Sequence, residues 1–403
     1  MTVKRRIMMF EPCAYQWLVD KGSVMSVVRP GCDLGPEYQE HLHYVFPYDT
    51  EDAVHPVTDR CTIHSFAKGK GYLGFIANAV RVWWKASKLV RSKNIDVIMS
   101  ADPYVGAVIA NFVALATGRP SAVGIAGEHD VIFRETGKMV NPALKFRWVE
   151  NFVMWIGLKM TDMIIMYVDA YRTYAQSHGG NPKKMVLCQV GAADHNFVPA
   201  SERGKPTKDW RRRPTDKLIA YTGRVDNRKY ADHLLRIYQK IIQRRDDVTC
   251  LFIGDGPDRR WIEEELADMG YSDRIIVTGF IPNEEVWKIL PTLDVYVAVL
   301  AGLALIEAAA VECPIVAYNT DWHPELIKHE VNGLLVPFQD YDAYADAICR
   351  VLDDEPLRKK LGKAAREQAL KRHTAAVVMK TWQHFYEQLI AGKRAPFEKF
   401  PGT

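Results

Sequence analysis

Two cations follow a glycine in the segment GRVDNRK, which covers Gly223 to Lys229 of this 403-residue sequence. Gly223 permits a sharp turn at the end of a predicted strand, and Arg224 and Lys229 come next, before a predicted helix. Two cations beside a helix start suit a diphosphate, because the helix dipole and the free N–H groups add to their charges. A solvated basic loop is the alternative interpretation.

Two further glycines, Gly254 and Gly256, follow the run Val248–Ile253, which has the composition of a buried strand. Glycines at such a place allow the backbone to approach a flat ligand such as a nucleotide base. An ordinary strand-to-helix turn is the more common reason for them.

A carboxylate stands inside an apolar helix that follows the predicted strand Asp294–Val299. Gly302 lies at the predicted helix start, and Glu307 follows one turn later. An unpaired buried charge is costly, so this carboxylate needs a partner. The hydroxyls of a ribose would supply one, and a buried salt bridge is the alternative.

Short β-branched runs alternate with helical patterns along the whole chain. In the first half the predicted strands are Arg5–Phe10, Val24–Val28, Asp96–Met99, Ser121–Ile125, Met163–Tyr167 and Met185–Cys188, and the predicted helices are Leu73–Lys93, Tyr104–Thr117, Pro142–Leu158 and Ala170–Ser177. The same rhythm restarts at Leu218. It predicts parallel sheets covered by helices, with ligands bound beyond the carboxyl ends of the strands.

We therefore predict an α/β protein of two doubly wound, Rossmann-like domains with a cleft between them. The predicted first domain covers residues 1–198 and the second covers 218–372. The basic, proline-containing segment 199–217 is predicted to link them, because it has little apolar content. Residues 373–403 are predicted to form a C-terminal helix.

Composition narrows the class of protein. Apolar residues make up 48% and charged residues 25%, and the net charge is +4. These values exclude a disordered chain and do not favour nucleic-acid binding. The seven cysteines are odd in number and form no C-x-x-C pair, which indicates reduced thiols in the cytoplasm. We find no metal-ligand cluster, signal peptide or membrane-spanning segment.

From Gly223 to about Leu370 the sequence resembles the nucleotide-sugar domain of glycosyltransferase family 4, which has the two-domain GT-B fold. The matching strings are GRVDNRK, LFIGDGPDRRWIEEEL, RIIVTGFIPNEEV, LDVYV, GLALIEAAAVECPIVA, PELIKHEVNGLLVP and LRKKLGKAAR. The first domain resembles the family more weakly, through IDVIMSADPYVGAVIA, GEHD, TDMIIMYVDAYRTYA and VGAADHNFVP.

The resemblance implies a role for each candidate site residue. Arg224 and Lys229 would hold the donor diphosphate, and Glu307 would accept hydrogen bonds from the ribose. His129, in the GEHD string, would lie near the donor sugar, with a structural turn residue as the alternative. The remaining implied contacts are through backbone: Gly302, Leu303 and Ala304 to the distal phosphate, and Gly223, Gly254, Gly256, Phe280 and Ile281 around the diphosphate and base. The C-terminal helix would cross back onto the first domain.

The sequence also departs from the family pattern. A second carboxylate of the family would fall at Val299, and Tyr230 stands where glycine is usual. The stretches Asp294–Glu307 and Phe10–Val24 are shorter than the pattern. Either the active site is trimmed or mobile loops are absent from the sequence. We expect the second, because mobile loops concentrate at binding clefts.

The segment Asn78–Lys93, NAVRVWWKASKLVRSK, combines tryptophans with cations. Such a helix could rest on anionic lipid through Trp83, Trp84, Lys85 and its other basic residues. A core stripe with a solvated basic face is the more common explanation. Arg147, Trp148, Trp155 and Lys159 would add to the same surface.

The resemblance implies a retaining, metal-independent glycosyltransferase without a cofactor. It would move a hexose from a UDP- or GDP-linked sugar to a hydroxyl acceptor, lipid-linked or a growing glycan, in the cytoplasm or at the inner membrane face. Arg224, Lys229 and the helix start would stabilise the charge that develops on the leaving diphosphate. One alternative is a non-catalytic nucleotide-sugar-binding protein. Another is an epimerase, which would need first-domain carboxylates for proton abstraction. Glu11, Glu128 and Asp130 are the only candidates for that role.

Overall fold

The computed structural model describes residues 4–20, 34–127, 130, 133, 144 and 146–392. The chain divides into two compact units. The first contains Met1–Val190 together with Ala375–Thr403, and the second contains Gly191–Thr374.

The first unit is built on an eight-stranded sheet with the order β3-β4-β2-β1-β5-β6-β7-β8. Only the β3–β4 pair is antiparallel among the described strands. The strands are β1 (Arg5–Phe10), β2 (Gln39–Asp49), β3 (Ala53–Thr58), β4 (Cys61–Ala67), β5 (Val97–Ser100), β6 (Ser121–Ile125), β7 (Met163–Met166) and β8 (Met185–Leu187). The helices are α1 (Tyr15–Asp20), α2 (Gly71–Lys93), α3 (Val105–Thr117), α4 (Arg147–Met160) and α5 (Arg172–Ser177). Helix α13 (Ala375–Ile390) completes this unit.

Both faces of this sheet are covered, as the apolar strands require. Side chains alternate along β1: Met8 and Phe10 pack in the cluster that contains α2 and α3. Ile7 and Met9 pack on the opposite face, where α13 contributes Trp382. The C-terminal helix is therefore part of the first unit's core.

The second unit is a six-stranded sheet with the order β11-β10-β9-β12-β13-β14, and all its neighbouring strands are parallel. Its strands are β9 (Lys217–Thr222), β10 (Val248–Ile253), β11 (Ile275–Val277), β12 (Val295–Ala298), β13 (Ile315–Tyr318) and β14 (Leu334–Val336). Its helices are α6 (Ala231–Arg244), α7 (Arg259–Asp268), α8 (Asn283–Ile289), α9 (Leu303–Ala310), α10 (His323–Leu326), α11 (Tyr341–Asp353) and α12 (Glu355–Arg372). The predicted α/β class and the two doubly wound, parallel-sheet units are confirmed.

The segment predicted as a linker, 199–217, differs from the prediction because it lies inside the second unit. Trp210 packs against that unit's core. Arg213 Nε donates to Asp216 Oδ1 at 2.7 Å, and Arg211 Nη2 donates to the carbonyl oxygen of Thr292 at 2.7 Å. Arg211 and Arg213 of this segment are therefore held by hydrogen bonds within the second unit, although the composition of the segment resembles that of a linker.

Strands β2, β3 and β4 were not predicted, whereas the predicted strand Val24–Val28 lies outside the described residues. Strand β2 reads QEHLHYVFPYD. Its histidines and its proline hide the regular alternation of apolar and polar residues that identifies a strand.

Candidate nucleotide-sugar site

Three loops meet at the carboxyl edge of the second sheet. The first loop follows β9, the second follows β10 and the third follows β12. These strands are neighbours in the sheet, so the topology alone brings the three loops together. A Cβ on Gly254 would lie 1.9 Å from the carbonyl oxygen of Gly223, and one on Gly256 would lie 2.0 Å from that of Val225. Glycine is therefore required for the first two loops to touch. The structure brings these three predicted glycines together.

Arg224 is held in the first loop by one nitrogen only. Its Nε donates to Oδ2 of the buried Asp226 at 2.9 Å. Asp226 also accepts from the backbone N–H of Arg228 at 2.9 Å. The guanidinium of Arg228 also donates to this carboxylate, and that side-chain hydrogen bond is the main reason that the pKa of Asp226 falls to about 2. The guanidinium of Arg224 is half-exposed, and its Nη groups have no partner among the described residues, so they can bind an anion.

Lys229 ends the same loop, and its ammonium forms no ion pair with any residue that the structure describes. Burial lowers its pKa, and the negative charge of Asp321 opposes this. The charge of Lys229 also helps to lower the pKa of His323. Nε2 of His323 accepts the backbone N–H of Ala301 at 3.0 Å, so the charge of Lys229 acts on a residue that contacts the loop before helix α9.

Helix α9 begins at Leu303, with Gly302 as its N-cap and no side-chain cap hydrogen bond. The first N–H groups of a helix have no intrahelical acceptor and carry partial positive charge. Gly302 and Leu303 are exposed, and Ala304 is half-buried. This helix start can accept a phosphate beside Lys229.

Glu307 lies in the second turn of α9 and is largely buried. No described residue forms a hydrogen bond or ion pair with its carboxylate. Burial raises its pKa, and the positive charge of Arg203 lowers it. Arg203 donates to the carbonyl oxygens of Val198 and Trp287 at 3.0 and 3.4 Å. The buried salt bridge considered as an alternative for Glu307 is therefore not formed within the described part of the chain.

The segment after β11 borders the second loop. Gly254 and Gly279 form an isolated β-bridge. The next residue, Phe280, exposes 78% of its surface, whereas Ile281 packs on the core. The backbone of residues 279–281 thus lies beside Gly254, where the resemblance expects the nucleotide base.

Sequence reasoning missed three residues near the site: Arg203, Trp322 and His323. Trp322 Nε1 donates to the carbonyl oxygen of Ala301 at 2.8 Å, and His323 accepts the N–H of the same residue. Together they brace both backbone polar groups of Ala301 before the helix start. Arg203 was assigned to the linker. Trp322 and His323 directly precede the matching string PELIKHEVNGLLVP and carried no recognised signal, because their role is tertiary.

His129 and Val299 are two other positions that the sequence singled out. His129 lies outside the described residues. The adjacent Asp130 is described, and its carboxylate pairs with Arg147 and lies 3.3 Å from Nε2 of His178. Val299 is fully buried in the core of the second unit, so it contributes no polar group to the site. The expectation that a loop is absent beside it stays a prediction.

The fold defined by these two units is that of the GT-B glycosyltransferases. The chain aligns with the crystal structure of Anabaena Alr3699/HepE in complex with UDP at a TM-score of 0.70, with 15% identity, over 96% of this chain and all of that one. Residues 203–368 match the family model described as Glycosyl transferases group 1. The predicted resemblance to glycosyltransferases is confirmed for that segment, and the assignment to family 4 stays a prediction.

The chain is also similar to curated proteins over part of its length, and one of them is named as a mannosyltransferase. The chain is 30% identical over 51% of its length to the Exopolysaccharide phosphotransferase SCO2592 of Streptomyces coelicolor, of which it covers 21%. It is 26% identical over 51% of its length to the GDP-mannose-dependent alpha-(1-6)-phosphatidylinositol monomannoside mannosyltransferase of Mycobacterium tuberculosis, of which it covers 56%. The chain thus spans from about a fifth to about half the length of these relatives.

Proposed function

We propose that this protein is a retaining glycosyltransferase that transfers a hexose from a UDP- or GDP-linked sugar to a hydroxyl acceptor. The observation that carries the proposal is the convergence of the guanidinium of Arg224, the ammonium of Lys229 and an uncapped helix start on a single sheet edge. Beside them lies the largely buried carboxylate of Glu307, and neither Lys229 nor Glu307 forms an ion pair within the described part of the chain. This set matches the charge pattern of a nucleoside diphosphate, with anionic phosphates and a neutral diol.

The chemistry follows from where the cations stand. As the bond between the anomeric carbon and the diphosphate oxygen breaks, negative charge grows on the diphosphate. Preorganised donors that face this charge lower the barrier, because they need no rearrangement during the reaction. Arg224, Lys229 and the N–H groups after Gly302 would supply these donors. We propose that no metal ion or cofactor is required, since the cations take that role.

On the acceptor side, His129 would hold the donor sugar while the acceptor hydroxyl attacks the face from which the diphosphate leaves. The acceptor would be lipid-linked or a growing glycan, in glycan or glycolipid biosynthesis in the cytoplasm. The name of the mycobacterial relative, which includes a phosphatidylinositol mannoside, supports such an acceptor. The resemblance of residues 223–370 to glycosyltransferase family 4 supports retention of configuration.

Release of UDP or GDP from a panel of nucleotide sugars and hydroxyl acceptors tests the proposal. Arg224→Ala should lower turnover by orders of magnitude, whereas Arg260→Ala, which changes an exposed arginine on α7, should leave it unchanged. His129→Ala should lower turnover but keep the affinity for UDP. Equal turnover in Arg224→Ala and the wild type would refute the assigned site.

A non-catalytic nucleotide-sugar-binding protein remains the second candidate. The buried, apolar Val299 favours it, because the site lacks the second carboxylate of the family pattern. Binding of nucleotide sugars without release of nucleoside diphosphate, in the presence of every acceptor tested, would favour this candidate over the transferase.

A further inference from the structure

One face of the first unit carries an unusual surface on three adjacent helices, α2, α3 and α4. Trp83 Nε1 of α2 donates to the carbonyl oxygen of Phe112 in α3 at 3.1 Å. Asn111 Nδ2 of α3 donates to the carbonyl oxygen of Gly157 in α4 at 2.8 Å. The three helices therefore lie side by side on the sheet, and we call their outer side the α2–α4 face.

Large apolar side chains line this face at helical spacing. Nearly half of the exposed large apolar side chains in the described chain belong to these three helices. They are Tyr72, Leu73, Ile76, Val80 and Trp84 on α2, Phe112 and Leu115 on α3, and Trp148, Phe152 and Trp155 on α4. The exposed fraction reaches 81% at Leu73 and 70% at Trp148. A concentration of exposed apolar side chains on adjacent helices indicates an interaction surface.

The charges on the same helices have one sign. Helix α2 contains no acidic residue and α3 contains no charged residue at all. The only carboxylate of α4 is Glu150, which is fully buried and pairs with Arg147. Lys88, Arg91 and Lys93 are exposed on α2, as is Lys159 on α4. The α2–α4 face is therefore both apolar and cationic.

Aromatic and cationic groups are paired in the same way on α2 and α4. The ammonium of Lys88 lies 3.6 Å from the ring centroid of Trp84, and that of Lys159 lies 5.8 Å from Trp155. Each pair is one helical turn apart. Beside the first pair an open depression of about 650 Å³ is lined by Lys85, Lys88, Leu89, Arg91 and Ser92, and the exposed cations Lys88 and Arg91 suit phosphate groups.

From this geometry we infer that the α2–α4 face binds the surface of a membrane that contains anionic phospholipids. Tryptophan and aliphatic side chains would enter the interfacial region while lysines contact the headgroup phosphates. No described helix is both long and apolar enough to cross a membrane, so binding would be peripheral. The inference does not rest on the proposed transfer reaction.

The structure corrects the choice of residues that the sequence suggests for this surface. Trp83 packs against the core and uses its N–H inside the protein. Lys85 donates to Asp52 at 2.6 Å. Substitution of Trp83 would disturb core packing, and Lys85 is already paired with Asp52, whereas Trp84 and Lys88 can be changed at the surface.

Co-sedimentation of the full chain with vesicles tests the inference. We expect binding to phosphatidylcholine vesicles that contain phosphatidylglycerol and little binding to phosphatidylcholine alone. Lys88→Glu/Lys159→Glu should weaken partitioning by at least about 30-fold, since each cation near an anionic surface contributes substantially to binding. Lys360→Glu/Lys363→Glu, on the second unit, is the matched control and should bind like the wild type.

A second pair of variants separates the apolar contribution. Trp84→Ser/Trp155→Ser should weaken vesicle binding and reduce quenching of tryptophan fluorescence by brominated lipid, whereas Trp261→Ser should have neither effect. Three outcomes would overturn the inference: equal binding to neutral vesicles, no binding to either kind, or a dimer in solution that the Trp84/Trp155 variant converts to a monomer. Cooperative thermal unfolding of each variant shows that the protein is folded, and this control does not depend on the proposed nucleotide-sugar site.

Discussion

Nε2 of His323 accepts the backbone N–H of Ala301 at 3.0 Å, while Nδ1 of the same ring lies 3.0 Å from the carbonyl oxygen of Tyr318. The carbonyl is only an acceptor and the N–H is only a donor, so the two contacts assign the proton to Nδ1. The neutral imidazole therefore joins the end of β13 to the loop before α9. A second proton on the ring would break the contact with Ala301.

This contact predicts a loss of stability in mild acid. Burial is the main reason that the pKa of His323 falls from 6.5 to about 4. The unfolded chain takes up the proton first, so the contribution is complete above pH 6.5 and is lost as the pH falls from 6.5 to 4. The loss amounts to about 3 kcal/mol. Urea unfolding of the wild type and His323→Gln at pH 7, 5 and 4 checks it, because only the wild type should lose this part. Parallel pH profiles would contradict the prediction.

Lys229→Met should weaken UDP binding by about 10- to 100-fold, because a charge-assisted contact to phosphate is lost while the volume of the side chain is kept. Binding of uridine, which lacks phosphate, should not change. Isothermal titration with both ligands measures the difference. Lys240→Met is the control, because Lys240 is paired with Asp342 at 2.8 Å on the surface. A similar loss in both variants, or a loss for uridine, would show that Lys229 does not contact the diphosphate.

Glu307→Gln should change stability and binding in opposite directions. Burial raises the pKa of Glu307 above its ordinary value of 4.5. Its ionisation therefore destabilises the folded state as the pH rises above 4.5 and through the raised pKa. The unliganded variant should therefore melt at a higher temperature than the wild type at pH 7.

Binding of UDP by Glu307→Gln should weaken, since a neutral amide accepts the ribose hydroxyls less strongly. The preference of the wild type for UDP over 2′,3′-dideoxy-UDP should largely disappear. Glu264→Gln, which changes an exposed glutamate on α7, should alter neither melting nor preference. If Glu307→Gln still prefers UDP over 2′,3′-dideoxy-UDP, this carboxylate does not contact the ribose.

Val299→Glu should destabilise the protein rather than complete the site. The side chain is fully buried in the apolar core, and burial of an unpaired charge there should cost about 3 kcal/mol or more. Val299→Thr, which keeps the shape, should cost less. Thermal unfolding with and without UDP measures both. Enhanced UDP-sugar binding by Val299→Glu with unchanged melting would show that the position faces the site.

The order and class of the elements could be predicted where the pattern was strong. Strands Arg5–Phe10, Ser121–Ile125 and Val248–Ile253 begin and end as predicted, because β-branched and apolar runs between turn residues identify buried strands. Strand β2 was missed because its histidines and its proline obscure that signal. The boundary at 199–217 was misplaced, since composition cannot show that Arg211 pairs with Asp294 and Arg212 with Asp273, which are distant in sequence.

Sequence by itself determined which groups could bind a nucleoside diphosphate: the types and order of Gly223, Arg224, Lys229, Gly302 and Glu307 are local facts. Tertiary structure decided how these groups are held. Asp226 binds Arg224, and His323 and Trp322 bind the backbone of Ala301. It also decided that Trp84 is exposed on α2 while its neighbour Trp83 packs against the core. The physical reason is that charge and residue type are properties of the chain, whereas burial and pairing arise only when distant segments pack together.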